Sequence, residues 1–524
     1  METILFNGAI YTMDPHRPQA TAVAIRDGWV RAVGGDELRD SPAAAEVVDL
    51  EGRCVVPGLA DSHIHFVSFA LGLQQIDLTA APSLAEMVAR VARRVRETPP
   101  GEWILGRGWD QELWPEGRFP TAADLDAAAP QHPVALLAKS GHALVVNSLA
   151  LERAGIPADP PDPPGGRFER AAGGSLSGLV LEEAIGSIMD CVPQPDAETA
   201  AAALRSGFER AWRVGLTSIH DVDGGVAFDA YQRLHARGEL GLRVIKYLPL
   251  EVLDAALELN LRAGLGDDWL RVGGIKLFAD GALGPRTAAM LAPYVGEPDN
   301  LGILTIQEEE LGDIAQRAST GGLPLAVHAI GDRANRMVLD ALAAVQAAGL
   351  PALRHRIEHV QALHQDDVGR LAALGVVASM QPLHAPQDAL MADRYWGERS
   401  ALAYAWRSLL DAGTVLAFGS DCPVEDLAPL RGIHAAVTRA RPDGYGGPQG
   451  WRPQQCLAVK EAVRAYTRGA AYAGGVERRL GMLAPGQRGD LVLLERDIFT
   501  GDPAAIAETA VLGTMIAGEW KWRG

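Results

Sequence analysis

The feature that most constrains the fold is an alternation of apolar, strand-like runs with long helical stretches between residues 58 and 470. The helical stretches, of which DRANRMVLDALAAVQAAG is one example, carry their apolar residues at helical spacing. Strands that alternate with helices indicate βα units and a parallel sheet. The sequence therefore predicts an α/β protein whose middle part is built on parallel strands.

The apolar runs share a second property, because they repeatedly end in a polar or ionisable residue. A (β/α)8 TIM barrel carries its catalytic groups at the carboxyl ends of several strands. A buried strand has little other reason to end so often in His, Lys or Asp, although any single one could simply cap its loop. We therefore expect a TIM barrel over residues 58–470. The runs are LADSHIH (59–65), SIHD (218–221), GIKLFAD (274–280), LAVHAIGD (325–332), RIEH (356–359), ASMQPLH (378–384) and LAFGSD (416–421).

The two ends of the chain differ from its middle. Residues 1–57 and 471–524 contain short β-rich segments punctuated by Gly, Asp or Pro, and we expect them to form one small, discontinuous β-sandwich domain. The predicted barrel exceeds the roughly 250 residues typical of the fold, and the surplus lies mainly between His65 and Leu216. We therefore expect an insertion within about residues 66–215, near the active site.

Composition narrows the classes of partner. The 48 Lys and Arg residues against 66 Asp and Glu residues give a formal net charge of −18, which argues against nucleic acid and anionic membranes as partners. The four cysteines have no CxxC spacing, which favours a reducing, cytoplasmic setting. No signal peptide and no apolar run of about 18 residues is evident. We expect a cytoplasmic protein that acts on a small molecule.

Several of the strand ends carry metal-ligating residue types. His63 and His65 are two apart in a strand, so they project to one side together with Asp61, and two imidazoles on one face are a natural half-site for zinc. His328 and His359 end two further strands, and Asp421 ends the last one. A carboxylate there can ligate a metal and exchange a proton. Each histidine could instead be a core residue, and Asp421 could be a helix N-cap.

Lys276 interrupts the apolar run Gly274–Phe278, where a charged lysine is costly to bury. Burial lowers the pKa of a lysine and makes the amine nucleophilic. A neutral lysine can take up carbon dioxide and become a carbamate, whose two oxygens can bridge two metal ions. Lys276 could instead extend along the apolar surface to reach a loop. Lys246, in the run LRVIKYLPL (242–250), is the second candidate for this position.

The order HxH, Lys, His, His and Asp resembles the amidohydrolase superfamily of metal-dependent hydrolases. The lead-in CVVPGLADSHIH and the tail LAPGQRGDLVLLERD resemble the entry to and exit from its barrel. Four stretches resemble the branch that contains N-substituted formamide deformylases and many uncharacterised members, and the resemblance covers nearly the whole chain. They are GRGWDQELWPEGRFPTAADLD (106–126), PVALLAKSGHALVVNSLAL (133–151), GIKLFADGALGPRTA (274–288) and AVHAIGDRA (326–334).

The resemblance implies one or two divalent metal ions, with Zn²⁺ the favoured ion. One ion would be held by His63, His65 and Asp421. A second would be held by His328, His359 and Lys276 as a carbamate shared between the ions. Water activated by the metal would attack a carbonyl carbon, and Asp421 would take its proton and deliver it to the leaving nitrogen. This implies hydrolysis of a C–N amide-type bond in an N-formyl or N-acyl amine or a cyclic amide. By family analogy the protein is a homodimer.

Three other functions remain as alternatives, and they differ in the residues or substrates that they require. Heterocycle deaminases of the superfamily typically use one metal and lack the bridging lysine. Carbamate esters and lactones would be attacked by the same activated water. A non-catalytic homologue would typically have lost metal ligands.

Further polar residues near the strand ends are candidates for substrate or catalytic contacts. His220 ends a strand and could donate to the carbonyl oxygen of the substrate. An anchoring hydrogen bond within the protein is at least as probable for each of them as a substrate contact. The candidate substrate-binding residues are Trp109, Asp110, His142, Asp280, Arg286, Gln381 and His384.

Overall fold

The structure is a computed structural model that describes residues 2–41, 44–79, 81–111, 114–138, 143–163 and 165–524. It consists of two compact units. One unit contains Met1–Phe69 and Leu204–Gly524, and the other contains Ala70–Ala203. Within the described part of the chain, every helix is too short or too polar to cross a bilayer.

The amino-terminal segment forms seven short strands. Four of them make a sheet in the order β5-β4-β1-β6. The strands are β1 (Glu2–Phe6), β2 (Ala9–Tyr11), β3 (Gln19–Ala20), β4 (Ala22–Arg26), β5 (Trp29–Gly34), β6 (Ala44–Asp49) and β7 (Cys54–Pro57).

The next strand, β8 (Leu59–Ile64), is followed by α1 (Phe66–Gly72) and then by the unit Ala70–Ala203. That unit is built on a six-stranded mixed sheet in the order β13-β14-β12-β11-β10-β9. Alternate residues along its strands feed two apolar clusters: Leu136 and Val145 belong to one, and Ala135 and Leu144 to the other, as expected for opposite faces of a sheet. Its elements are β9 (Ile76–Asp77), α2 (Leu84–Val95), β10 (Ile104–Trp109), α3 (Ala122–Asp126), β11 (Val134–Ala138), β12 (Ala143–Val146), α4 (Ser148–Arg153), β13 (Gly166–Arg170), β14 (Leu176–Glu182) and α5 (Gly186–Met189).

The middle of the chain forms the predicted barrel. β8 and seven later strands pair in parallel in the order β21-β20-β19-β18-β17-β16-β15-β8. Two backbone hydrogen bonds close the ring: the N–H of Asp421 donates to the carbonyl of His63, and the N–H of His65 donates to the carbonyl of Cys422. The later strands are β15 (Leu216–Asp221), β16 (Arg243–Pro249), β17 (Leu270–Phe278), β18 (Leu325–Ala329), β19 (Arg356–His359), β20 (Val377–Met380) and β21 (Leu416–Phe418).

Helices follow the barrel strands and pack apolar faces against them. α10, for example, buries Val338, Leu339 and Leu342, which belong to the same core cluster as Val327 of β18. The helices are α6 (Ala197–Arg213), α7 (Ala227–Ala236), α8 (Leu253–Glu258), α9 (Glu308–Thr320), α10 (Asp332–Ala347), α11 (Val368–Leu374), α12 (His384–Trp396), α13 (Trp406–Asp411), α14 (Pro429–Thr438), α15 (Val459–Arg464) and α16 (Ala470–Ala473).

The carboxyl-terminal strands complete a second sheet with strands from the amino terminus, in the order β24-β23-β22-β7-β2-β3. Val23 and Ile25 of the first sheet share one core cluster with Val55, Leu491 and Met515 of the second, so the two sheets form a sandwich. The predicted α/β barrel with a β-sandwich made from both chain ends is therefore confirmed, while the domain boundaries and the nearness of the insertion to the active site stay predictions. The last strands are β22 (Leu491–Leu494), β23 (Val511–Ile516) and β24 (Glu519–Arg523).

Candidate metal centre

Four histidines and one carboxylate converge where the barrel strands end. The ring of His359 lies 4.9 Å from the ring of His63 and 4.6 Å from that of His328, between centroids. Oδ1 of Asp421 lies 3.5 Å from Nε2 of His63 and 3.6 Å from Nε2 of His65. These side chains come from β8, β18, β19 and the segment after β21, so the barrel assembles residues that are far apart in the chain.

Two groups of three ligand atoms have the spacing that a metal ion needs. In each group the donor atoms lie within 4.8 Å of one another. The first group contains His63, His65 and Asp421, and the second contains His359, His384 and Asp421. Imidazole and carboxylate donors at this spacing suit zinc and related divalent ions.

Each predicted histidine ligand has one ring nitrogen engaged by the protein. Nδ1 of His63 lies 2.6 Å from Glu358, Nδ1 of His65 lies 3.0 Å from Asp223, and Nδ1 of His359 lies 2.8 Å from Oε1 of Gln381. Such partners fix the ring orientation and leave the other nitrogen as the ligand. His328 follows the same pattern with the nitrogens exchanged, because its Nε2 lies 2.9 Å from the carbonyl of Gly281 and its Nδ1 remains.

Lys276 adds a buried amine to this site. Its side chain is 4% exposed, and its Nζ has no hydrogen-bond partner among the described residues. Nζ lies 4.0 Å from the centre of the Phe278 ring, which in turn packs against the ring of His328 at 5.1 Å. A buried polar atom without a partner is rare in folded proteins. The orphaned amine and the histidine and carboxylate donors together fit a divalent metal whose ligands include a modified lysine.

Lys246, the second candidate, is saturated with partners. Its Nζ lies 2.8 Å from Oδ1 of Asp221 and donates to the backbone carbonyls of Asp221, Asp223 and Tyr247. Every proton of this ammonium therefore has an oxygen acceptor. Of the two lysines, only Lys276 therefore has an amine without a hydrogen-bond partner among the described residues.

Burial favours the neutral form of three of the four predicted histidine ligands. It lowers the pKa of His63 and His359, and it lowers that of His328 to about 3 with a contribution from Lys276. Burial alone would also lower the pKa of His65, but the carboxylate of Asp223 raises it. Burial alone would raise the pKa of Asp421, but a hydrogen bond from His384 and the nearby imidazoles hold it well below its usual range. Neutral imidazoles and an ionised carboxylate are the forms that bind metal.

Two of the predicted ligands have a strained backbone. The φ angle is +75° at His359 and +59° at Asp421, in the left-handed region that non-glycine residues rarely adopt. Such residues cost about 1–3 kcal/mol each and concentrate at functional sites. The strain therefore supports a functional role for the ends of β19 and β21.

Two of the predicted substrate-binding residues lie beside the metal ligands. Gln381 contacts His359, as described above. Nε2 of His384 lies 3.4 Å from Oδ2 of Asp421, and its Nδ1 lies 3.5 Å from Glu425. Burial alone would lower the pKa of His384, but these two carboxylates raise it to about 10.

Oδ1 of Asp280 lies 3.7 Å from Nε2 of His328, but the hydrogen bonds of Asp280, like the ion pair of Arg286, are made with other parts of the protein. The buried carboxylate of Asp280 accepts hydrogen bonds from the backbone N–H groups of Ala289, Ile330 and Gly331. It therefore anchors the loops after β17 and β18. Arg286 forms a partly exposed ion pair with Glu297 at 2.9 Å.

His220 does not direct either ring nitrogen at the ligand cluster. Its Nδ1 accepts a hydrogen bond from Arg356 at 2.9 Å, and its Nε2 faces the backbone of Gly474. The predicted role of His220 as a donor to the substrate therefore finds no support in its position. A histidine at a strand end can point into the barrel interior as easily as towards the substrate.

The remaining predicted residues belong to the unit Ala70–Ala203. Trp109 is buried in the core of that unit, and its Nε1–H donates to the carbonyl of Leu136 at 2.7 Å. Asp110 follows at the end of β10 and is partly exposed. His142 lies outside the described residues. The substrate contacts of these residues stay predictions.

Sequence reasoning missed the residues that hold the ligands in place. Three buried charged residues do so. Glu358 contacts His63 and Asp223 contacts His65, while Arg356 acts through its ion pair with Glu358. One signal was available for two of them: the run RIEH places two opposite charges in a strand of four buried residues.

Comparison with known proteins places this geometry in a family. A model of the amidohydrolase family matches residues 46–520. Protein LONG AFTER FAR-RED 3 of Arabidopsis thaliana is 34% identical over 99% of this chain and 91% of its own length. The N-substituted formamide deformylase of Arthrobacter pascens is 29% identical over 99% of this chain and 98% of its own.

A solved structure is similar as well. The crystal structure of an uncharacterised metal-dependent hydrolase from Pyrococcus furiosus aligns with a TM-score of 0.80 and 30% identity, covering 95% of this chain and 100% of that one. The family model matches most of the chain, and the barrel and its ligand cluster agree with it. This chain therefore belongs to the amidohydrolase family of hydrolases.

Proposed function

We propose that this protein hydrolyses a C–N amide-type bond of a small molecule, in an N-formyl or N-acyl amine or a cyclic amide. The observation that carries the proposal is the convergence, at the carboxyl end of the barrel, of four histidines, Asp421 and the amine of Lys276, which has no hydrogen-bond partner among the residues that the structure describes. The relative from Arthrobacter pascens, named as an N-substituted formamide deformylase, matches almost end to end and supports amides as the substrate class.

The residues divide into two sets that would hold divalent ions, with Zn²⁺ as the proposed metal. His63, His65 and Asp421 would hold one ion. His328, His359 and Lys276 would hold the other, with Lys276 as a carbamate. In that modification the neutral amine attacks carbon dioxide, a N–C bond forms and one proton is released. Because burial lowers the pKa of Lys276 to about 8, a useful fraction of the amine is neutral near physiological pH.

A bound divalent metal would supply an acidified water and a polarised carbonyl. Asp421 accepts the proton of the attacking water and then donates it to the leaving nitrogen, so that one carboxylate serves first as base and then as acid. Its low pKa fits the first task, since the carboxylate is ionised before the reaction. Glu358, Asp223 and Gln381 keep the imidazole rings oriented.

The alternatives predict different products from the same site. A heterocycle deaminase with one metal would release ammonia, and Lys276 would remain unmodified. A carbamate or lactone hydrolase would cleave esters in preference to amides. A non-catalytic homologue would bind no metal and would be expected to lack some of the ligands. Here every predicted ligand position still carries the residue type that the metal site needs.

The test combines metal analysis with a substrate panel. Protein purified without chelator is analysed for zinc and other divalent ions, then assayed with N-formyl amines, N-acyl amines, cyclic amides, lactones and amino-heterocycles. The proposal expects one or two bound ions per chain and release of an amine from an amide. Absence of bound metal, or turnover confined to lactones or amino-heterocycles, would contradict it.

Two further properties belong to the proposal. We propose that the enzyme works in the cytoplasm as a homodimer, without nucleic acid or membrane as a partner. The net charge of −18 and the sparse cysteines support the setting. Light scattering of the purified protein tests the dimer, and a monomeric mass would refute it.

A further inference from the structure

A buried ion pair lies within the barrel, beside the candidate metal centre. Arg356 and Glu358 are two apart on β19, so they project to the same side of the strand, and both side chains are 0% exposed. The guanidinium Nε–H and one Nη2–H donate to the two oxygens of Glu358. The pair is therefore bidentate, the geometry in which an arginine holds a carboxylate most firmly.

Arg356 also ties its own strand to four others. Nη2 also lies within hydrogen-bond distance of the carbonyl of Ser62 on β8 and of Oγ of Ser379 on β20, the latter at 2.8 Å, so its two N–H groups are shared among three acceptors. Nη1 lies 2.9 Å from Nδ1 of His220 on β15 and 3.4 Å from the hydroxyl of Tyr247 on β16. All three guanidinium nitrogens are thus engaged, so the position of Glu358 is fixed by the barrel itself.

One oxygen of Glu358, in addition to its bond with Arg356, contacts a predicted metal ligand. Its Oε2 lies 2.6 Å from Nδ1 of His63, on the opposite side of the ring from the Nε2 that faces Asp421. A carboxylate at this position keeps the proton on Nδ1 and leaves the lone pair on Nε2. The other neutral tautomer would carry its proton on Nε2 and leave no lone pair there for a metal.

Stability alone does not explain this pair. Removing two charges from water costs several kcal/mol per ion, and apolar replacements of buried pairs are often neutral or stabilising. The contact of Glu358 with His63 gives a second reason for the buried pair, namely that it orients this imidazole.

We infer that Glu358, held by Arg356, is the positioning residue that sets the tautomer and orientation of His63 for metal binding. Neither residue touches the substrate in this account. The inference rests on the proposed metal centre, because it concerns a ligand of that centre.

The experiment measures the binding of Co²⁺ to full-length, metal-free protein by calorimetry and by visible absorption. Three variants are compared with the parent protein: Arg356→Met/Glu358→Leu, Arg356→Met/Glu358→Gln and Glu358→Asp. The double variants remove both charges, so that no unpaired buried charge remains. Glu358→Asp retains both charges but shortens the side chain by one methylene, which moves the carboxylate away from His63. It is the milder variant to use where a double variant fails to fold.

A matched control comes from a second buried ion pair. Arg243 and Asp490 form a bidentate pair with side chains 3% and 5% exposed, and neither contacts a predicted metal ligand among the described residues. Arg243→Met/Asp490→Leu therefore reproduces the loss of a buried pair without touching His63. It is expected to bind Co²⁺ with the parent's affinity and spectrum.

The inference expects Arg356→Met/Glu358→Leu to weaken Co²⁺ binding by about 10–100-fold and to change the absorption of the bound ion. Arg356→Met/Glu358→Gln should recover much of the affinity, because an amide oxygen still accepts from Nδ1–H. Glu358→Asp should fall between these two. Parent-like affinity and spectrum in Arg356→Met/Glu358→Leu, or in Glu358→Asp if that variant alone folds, would overturn the inference. Failure of the parent protein to bind Co²⁺ would instead refute the proposed metal centre.

Discussion

Lys246 and Lys276 are buried lysines on the neighbouring strands β16 and β17, and their surroundings differ sharply. Lys246 has a carboxylate and three carbonyl oxygens around its Nζ. Lys276 has no hydrogen-bond partner within the described part of the chain and faces the aromatic ring of Phe278. The oxygens around Lys246 stabilise an ammonium, whereas burial without a hydrogen-bond acceptor lowers the pKa of Lys276 and favours its neutral amine. The difference separates a lysine that holds the barrel together from one that is available for chemistry.

The largest expected effect is the loss of turnover in Asp421→Asn, which changes a residue of the site to which Lys276 belongs. Asp421→Asn keeps the shape of the side chain but removes the proton acceptor beside the ligands of the Lys276 site. We expect turnover to fall by about 10²–10⁴-fold, with the melting temperature little changed. Steady-state kinetics on the amide identified by the substrate panel, with exposed Asp229→Asn as control, check this. Near-normal turnover would remove Asp421 from the proton transfer.

Lys246→Met tests whether Lys246 stabilises the fold. This change leaves the carboxylate of Asp221 buried without its cation, since Asp221 is 0% exposed. We expect the free energy of unfolding to fall by about 3–5 kcal/mol, measured by urea denaturation. An unfolding free energy equal to that of the parent would mean that Lys246 is not the structural lysine.

Lys276→Met should behave in the opposite way. The amine it removes has no partner in the described structure, so the metal-free protein should stay within about 1.5 kcal/mol of the parent or gain stability. Metal content and turnover should both fall, because a proposed ligand is lost. The parallel measurement on Lys246→Met is the control. A large loss of stability without loss of metal would reverse the roles assigned to the two lysines.

A further expected effect is on the pH dependence of stability. Burial lowers the pKa of Lys276 from 10.5 to about 8 in the folded, metal-free protein. Between these pH values the unfolded chain binds more protons than the folded one, so the unfolding free energy should rise with pH across that interval. The rise should be absent from Lys276→Met. Equal slopes in the two proteins between pH 8 and pH 10 would show that the amine is not buried as described.

Much of the fold could be predicted because its signals are local. The alternation of apolar runs with helical stretches indicated the barrel, and the β-rich chain ends indicated the sandwich. The polar residues at the strand ends also marked the ligand positions, since parallel strands bring their carboxyl ends to one edge.

The rest depends on contacts that no local pattern shows. Glu358 meets His63 across 295 residues of sequence, and the choice between the two lysines depends on which oxygens surround each one. His220 and Asp280 stand at strand ends like the predicted ligands, yet His220 is bound by Arg356, and Asp280, which lies 3.7 Å from His328, accepts its hydrogen bonds from backbone N–H groups. The direction of a side chain at a strand end is set by its partners in three dimensions.

The most direct test of the account is a crystal structure of protein purified without chelator, with anomalous scattering recorded at the zinc edge. We expect one anomalous peak within about 2.0–2.2 Å of the imidazole nitrogens of His63 and His65 and of an oxygen of Asp421, and, where two ions are bound, a second peak beside His328, His359 and Lys276. We also expect density for a carboxylate on the amine of Lys276. An anomalous map without a peak among these residues, with Lys276 unmodified, would contradict the account.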